Sequence, residues 1–236
     1  MSAAPEPHNR TIDKVIIPTL KTLVVGVGAL GLLLFLPAGT LNYWQAWAVI
    51  AVFVLGSNAI GIYLGVHDPE LLERRKQVGP QAETRTAQKI IVIVLIAALV
   101  GMFVLSALDH RFGWSEVPTP MSLAGDVLAA IGLYITFLVV KENTFSAANI
   151  KVFKDQKVIS TGPYAVVRHP MYSGTLLLTL ASPLALGSWW GVLPVLLVIP
   201  MLVWRILDEE KLLNAELPGY SDYARRVRYR LVPLGW

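Results

Sequence analysis

From Thr22 to Val66 the chain runs for 45 residues without a permanently charged side chain. About 20 apolar residues cross the hydrocarbon of a bilayer, so this run is too long for one crossing and long enough for two. The cluster Pro37-Ala38-Gly39-Thr40-Leu41-Asn42 supplies a turn between them. The pattern predicts helices over 15–36 and 43–66. A second uncharged run, Met171 to Trp204, is 34 residues long. As one straight helix it would extend ~51 Å against a hydrocarbon core of ~30 Å. Gly187-Ser188-Trp189-Trp190-Gly191 lies near its middle and reads as a turn with an aromatic interface anchor. A helical hairpin follows, 171–186 and 190–213, bent by Pro183, Pro194 and Pro200. Its first arm, ~24 Å long, has to tilt, thin the bilayer or stop short of a full crossing.

Two further helices are predicted between these runs. One spans 89–108, bounded by Lys89 and Asp109. The other spans 122–141, with Ser122 as N-cap and Asp126 near the positive end of the dipole. The polar stretch 67–88 reads as a loop or surface helix, and 214–236 as a polar, aromatic tail. The fold class is therefore all-α: a polytopic membrane bundle of four transmembrane helices, then a helical hairpin and a cytoplasmic tail. It forms a single membrane domain over 1–236, divided into a four-helix part, 15–141, and a loop, hairpin and tail, 142–236.

Composition agrees. Only 15% of residues are charged and 55% are hydrophobic, whereas a soluble domain carries about 25% charged residues. The absence of cysteine excludes disulfides, thiolate nucleophiles and thiolate metal sites. The net charge of +4 is a matter of topology rather than of nucleic-acid binding. With six passes, 19 of the 20 Lys and Arg residues fall on one face, and Arg111 alone falls on the other. The positive-inside rule makes the basic face cytoplasmic, together with both termini. Residues 1–10 are polar and Pro-rich, and the apolar run after them exceeds a signal h-region of about 7–15 residues, which predicts a retained membrane helix.

Several motifs read as packing features. Gly26-Val27-Gly28-Ala29-Leu30-Gly31 matches a dinucleotide fingerprint, but it lies inside an apolar helix, where small residues allow close helix approach. Gly61 and Gly65 are read the same way, and Asn58 as an interhelical hydrogen-bond donor. His8, His67 and His110 lack the spacing of a metal pair, and no metal site is predicted.

The chemistry-bearing stretch is Gln156 to Gly174, QKVISTGPYAVVRHPMYSG. Gly162-Pro163 makes a turn, and Pro170 suits the first turn of the next helix. Arg168 and His169 then sit at that helix's N-terminus, beside unpaired backbone donors. Alone, the stretch could be a surface anchor, with Arg168 for lipid phosphate and Tyr164 and Tyr172 for the interface. The hairpin, however, returns Arg205 and the acidic run Asp208-Glu209-Glu210 to the same end. Arg205 and Glu209 are four apart, on one helix face, and could form an ion pair. Three acids near a helix C-terminus oppose the dipole, and a cationic ligand would balance them.

Gly162-Pro163-Tyr164 followed by Arg168-His169-Pro170-Met171-Tyr172-Ser173-Gly174 resembles the motif of the isoprenylcysteine carboxyl methyltransferase family and its phospholipid methyltransferase relatives. Arg205…Glu209-Glu210 and the tail Pro218-Gly219-Tyr220-Ser221-Asp222-Tyr223 fit in order, as does Val227-Arg228-Tyr229-Arg230-Leu231-Val232-Pro233, so the resemblance covers roughly 141–236. It implies an all-helical membrane enzyme using S-adenosylmethionine without a Rossmann domain. Carried over by position, Gln156, Lys157, Val158, Ile159, Tyr164, His169, Pro170, Met171 and Tyr172 line the cofactor. Glu209 holds a polar end of it, and Arg205 faces the substrate. Gln156 stands where members often carry His, and no partner is assigned to Asn149.

Methyl transfer is an in-line displacement that needs positioning and exclusion of water. A carboxylate acceptor is already ionised, and Arg205 could orient it through a bidentate pair. An amine would need a base, for which Glu210 is the candidate. The expected catalytic set is Arg205, Glu210 and Arg168. The expected partners are membrane lipids and a lipophilic acceptor, either an isoprenylcysteine-like carboxylate or a lipid headgroup. Two rival readings remain. A membrane reductase using NADPH wants basic residues where 208–210 are acidic. The other is a non-enzymatic transporter or scaffold, and a proton-coupled transporter wants ionisable groups near the bilayer midplane, which these helix centres lack.

Overall fold

The computed structural model describes residues 17–236, with side chains from Thr19 onward. Regular structure in this range is helical throughout. The helices are α1 (Ile17–Ala38), α2 (Trp44–His67), α3 (Pro69–Lys76), α4 (Thr86–Phe112) and α5 (Thr119–Glu142), then α6 (Pro170–Ala185), α7 (Val192–Val195), α8 (Val198–Glu216) and α9 (Tyr220–Arg226). Four of them, α1, α2, α4 and α5, are long and apolar enough to cross a bilayer. Large apolar side chains such as Val25, Leu32, Leu55, Ile93 and Val127 stand exposed on their outer faces. Exposed apolar surface on this scale fits a lipid environment, and the four helices fit an integral membrane protein. His8 and the rest of 1–16 lie outside the described residues.

The boundaries follow local chemistry. The stretch expected as a loop or surface helix contains α3, which starts where Asp68 accepts a hydrogen bond from Leu71 N at 2.9 Å. Glu70 lies in its first turn and Arg74, Arg75 and Lys76 in its last, complementing the dipole. Helix α4 ends at Gly113, whose φ of +62° is the left-handed conformation of a helix stop. Helix α5 begins earlier than expected, at Thr119 after Pro118. Ser122 is therefore buried inside the helix rather than capping it, and Asp126 lies beyond the first turn, where the dipole acts. The return arm is not one helix from 190. It is a four-residue turn, α7, followed by α8 with Pro200 in its first turn.

The closest helix crossing is α5 against α6. A Cβ on Gly132 would lie 2.6 Å from Gly174 O, and one on Gly174 would lie 2.8 Å from Gly132 O. Gly125 meets the Ala185 backbone in the same way. The glycines singled out in α1 and α2 do less. A Cβ on Gly26 would meet Val54 at an ordinary 3.5 Å, and nothing lies within 4 Å at Gly28 or Gly61. Asn58 accepts between helices rather than donating. Thr22 Oγ1 donates to its Oδ1 at 2.9 Å, while its own amide donates to Val54 O at 2.8 Å.

Two polar clusters set the height of the hairpin. At its tip, Ser188 Oγ donates to Asp109 Oδ2 at 2.6 Å, near the end of α4. At its base, Asp208 pairs with Arg85 at 3.0 Å and accepts from Gln88, at the start of α4. Gln88 and Asp109 are separated by ~32 Å at 1.5 Å per helical residue. The hairpin α6–α8 thus runs the full height of the bundle, matching a hydrocarbon thickness of ~30 Å.

Candidate functional site

The doubled-back hairpin brings the start of α6 and the polar half of α8 together. Tyr172 Oη donates to Glu209 Oε2 at 2.7 Å. Arg168 Nε lies 2.9 Å from Glu210 Oε1, and His169 Nε2 is 3.2 Å from the same oxygen. The tail closes the cluster from behind. Arg168 N and His169 N donate to Tyr229 O and Arg230 O, each at 2.9 Å, and Ser173 Oγ donates to Leu231 O at 2.6 Å. Arg230 Nε then reaches Glu210 Oε2 at 3.0 Å.

Each acid of the 208–210 run has a partner of its own. Asp208 is held by Arg85. Glu210 is held by Arg168, His169 and Arg230. Glu209 has Tyr172 and, at 4.0 Å, His169 Nδ1, and among the described residues no Lys or Arg lies within ion-pair distance of it. Arg205 and Glu209 do not pair directly. They meet through the Tyr172 hydroxyl, to which Arg205 Nε donates at 3.1 Å. The rest of the Arg205 guanidinium donates to Gln88 Oε1 at 2.7 Å, Glu83 Oε1 at 2.9 Å and Ala148 O at 3.1 Å.

A cavity of about 370 Å³ opens beside this cluster, within the ~300–1,000 Å³ typical of small-molecule sites. Its wall includes Gln156, Lys157, Val158, Ile159, Tyr164, His169, Pro170, Met171, Tyr172 and Glu209, together with Arg168 and Arg205. Glu210 is not on that wall. Its carboxylate faces three cationic or hydrogen-bonding partners behind it.

An irregular strap, 143–161, crosses the cavity between α5 and the 3₁₀ turn Gly162–Ala165. Asn143 Nδ2 donates to Tyr164 Oη at 2.8 Å, and Tyr223 Oη donates to Tyr164 O at 2.8 Å. Burial pushes the Tyr164 phenol up to about 12. The Asn143 hydrogen bond and the nearby Arg75 oppose the rise, while Glu209 and Glu142 add to it. Burial likewise raises Tyr220 and Tyr223 well above the ordinary phenol value and lowers Arg75.

Sequence reasoning missed Arg75, Glu83, Gln88, Asn143, Tyr220 and Tyr223. Of these, Glu83 and Gln88 are the partners of Arg205, and the others line the cavity. Glu83 and Gln88 stand 122 and 117 positions from Arg205, and no local pattern marks such a pairing. Asn143 and the tail tyrosines were within reach, because they flank the motif.

The fold defines a polytopic, all-helical membrane protein with a cavity at the base of its hairpin. Residues 121–217, from α5 to the end of α8, match the phospholipid methyltransferase family. The match covers about two fifths of the chain, and over that stretch the chain is similar to phospholipid methyltransferases. No curated protein matches the chain.

Proposed function

We propose that this protein transfers a methyl group from S-adenosylmethionine to a lipophilic acceptor, in the cavity beside the Tyr172–Glu209 pair. The observation that carries the reading is that the two hairpin arms meet through this pair and leave Glu209 facing the cavity with, among the described residues, no Lys or Arg within ion-pair distance. The residues fit the cofactor. Glu209 offers a carboxylate to a cationic group. Val158, Ile159, Met171, Leu202 and Leu217 offer apolar wall, and Tyr164 and Asn143 offer hydrogen bonds. Bound there, S-adenosylmethionine would supply an electrophilic methyl on a positively charged sulfonium.

The chain's own residues then position and exclude water. Tyr172 fixes Glu209 on one side and Arg205 on the other. Of the five N–H groups of an arginine, the protein occupies four on Arg205 and leaves one on Nη1 for an acceptor. Glu210, held by three partners away from the cavity wall, is poorly placed to take a proton. A carboxylate acceptor, which needs no base, therefore fits best, with a lipid headgroup as the alternative. The concentration of Lys and Arg at the cavity end of the bundle supports a cytoplasmic site.

The test uses methyl-labelled S-adenosylmethionine, a lipid extract and the full chain in a lipid nanodisc. Label should move into the organic phase. Release of that label as methanol by mild base marks a methyl ester, and base-stable label marks an N-methyl product. Label that stays in the aqueous phase, with NADPH consumed when a parallel reaction supplies it, would refute the reading and point to a reductase.

A further inference from the structure

The strap that roofs the cavity is held by an element lying outside the family match. Arg74 Nη1 donates to Thr144 O at 3.1 Å and Arg75 Nη1 to Ser146 O at 2.8 Å. Asn149 Nδ2 donates to Ala82 O at 3.0 Å, and Ile150 N donates to Glu83 Oε2 at 3.3 Å. The Arg74 guanidinium also lies over the Phe153 ring at 4.5 Å. All these anchors come from 74–83, upstream of residues 121–217.

Glu83 is the member of this brace that reaches both halves of the site. It is 4% exposed. Its Oε2 takes the strap backbone at Ile150, while Oε1 takes Arg205 Nη2 at 2.9 Å. Arg205 in turn donates to Ala148 O on the strap and to Tyr172 Oη, the group that holds Glu209. A carboxylate can accept on both sides at once. An amide cannot, because one of its two ends is an NH₂ that would face a donor.

We infer that Glu83 is a positioning residue: it latches the 143–161 strap to Arg205, and so holds the roof of the cavity and the Tyr172–Glu209 pair in register. The inference rests on the reading that this cavity binds S-adenosylmethionine. Loss of the latch loosens the strap, weakens cofactor binding and misplaces Arg205.

The experiment compares wild type with Glu83→Gln, Glu83→Asp and Arg74→Gln, using the full chain in nanodiscs. Glu73→Gln, on the exposed face of α3, serves as the control. Trypsin cleavage after Lys151, Lys154 and Lys157 reads the strap directly and does not depend on the cofactor. Binding of S-adenosylhomocysteine reads the site. Glu83→Gln should speed cleavage in the strap and weaken binding about ten-fold. It should also lower kcat by up to about a hundred-fold, since small displacements are costly to a reacting geometry. Glu83→Asp should recover part of both losses, and Glu73→Gln should behave as wild type.

Arg74→Gln touches the strap from the surface and should speed cleavage with a smaller loss of binding, which keeps the test decisive if Glu83→Gln does not fold. Strap cleavage and binding unchanged in Glu83→Gln would overturn the inference. Absence of S-adenosylhomocysteine binding in wild type, with cleavage still accelerated in the variant, would instead overturn the cofactor reading.

Discussion

Tyr172 and Glu209 lie 37 positions apart, on opposite arms of the hairpin, and meet through a hydrogen bond of 2.7 Å from the phenol to the carboxylate. The same hydroxyl accepts from Arg205 Nε at 3.1 Å. One oxygen therefore sets the orientation of both charged groups on the cavity wall. Removing it in Tyr172→Phe leaves a donor on Arg205 and an acceptor on Glu209 unmatched, at a cost of about 1–3 kcal/mol. We expect S-adenosylhomocysteine to bind about ten-fold more weakly, with an unchanged helical circular-dichroism spectrum. Equal affinity in the two proteins would remove Tyr172 from the site.

Glu210 is expected to matter for stability before it matters for chemistry. Its carboxylate is 8% exposed as a residue and balances Arg168 and Arg230. Breaking a buried ion cluster on one side leaves uncompensated charge and costs about 3 kcal/mol or more. Glu210→Gln should lower the melting temperature clearly. Exposed Glu73→Gln, which loses only a surface pair with Lys76, should shift it by little.

Helix contacts give a paired test. Gly132→Ala drives a methyl into Gly174 O and the Leu178 backbone, and overpacking of this kind costs about 1–3 kcal/mol. At Gly61 nothing lies within 4 Å, so Gly61→Ala gains helix propensity and should be neutral or stabilising by up to about 1 kcal/mol. Thermal unfolding in one detergent compares the two. Equal effects would mean that the α5–α6 crossing is looser than it stands here.

Tyr164 supplies a pH dependence. Burial raises its phenol from the ordinary 10 to about 12 in the folded chain. The folded state thus binds this proton more tightly, and the resulting stability is complete below about pH 10 and lost as pH rises towards about 12. Tyr164→Phe should make the alkaline loss of stability shallower across that interval, measured by unfolding at a series of pH values. An identical slope in both proteins would place Tyr164 in a more solvated setting.

Much of this was legible in the sequence, and the reasons are specific. The uncharged runs and the turn clusters at 37–42 and 187–191 placed the membrane helices to within a few residues, because bilayer thickness sets length, but they did not show the break in the return arm between Val195 and Val198. The hairpin followed from the same rule, and with it the meeting of Arg168–Tyr172 with Arg205–Glu210. Packing was less visible. Gly125 and Gly132 are seven apart, a spacing that places two small residues on one helix face, whereas the more conspicuous G-x-G-x-x-G string in α1 carries little contact. The acidic run looked unbalanced because its counterions come from Arg85, Arg168 and Arg230, remote in sequence or in the tail. Glu83 was invisible for the same reason. A buried carboxylate is recognisable only once its arginine is known.

The central claim is that Glu209 holds a cationic cofactor in the cavity between the hairpin arms, and equilibrium binding of S-adenosylhomocysteine to the nanodisc-embedded chain tests it most directly. Wild type should bind saturably, and Glu209→Gln should lose at least about ten-fold in affinity while keeping its fold. A wild-type chain that fails to bind, or a Glu209→Gln variant that binds as tightly as wild type, would contradict the account.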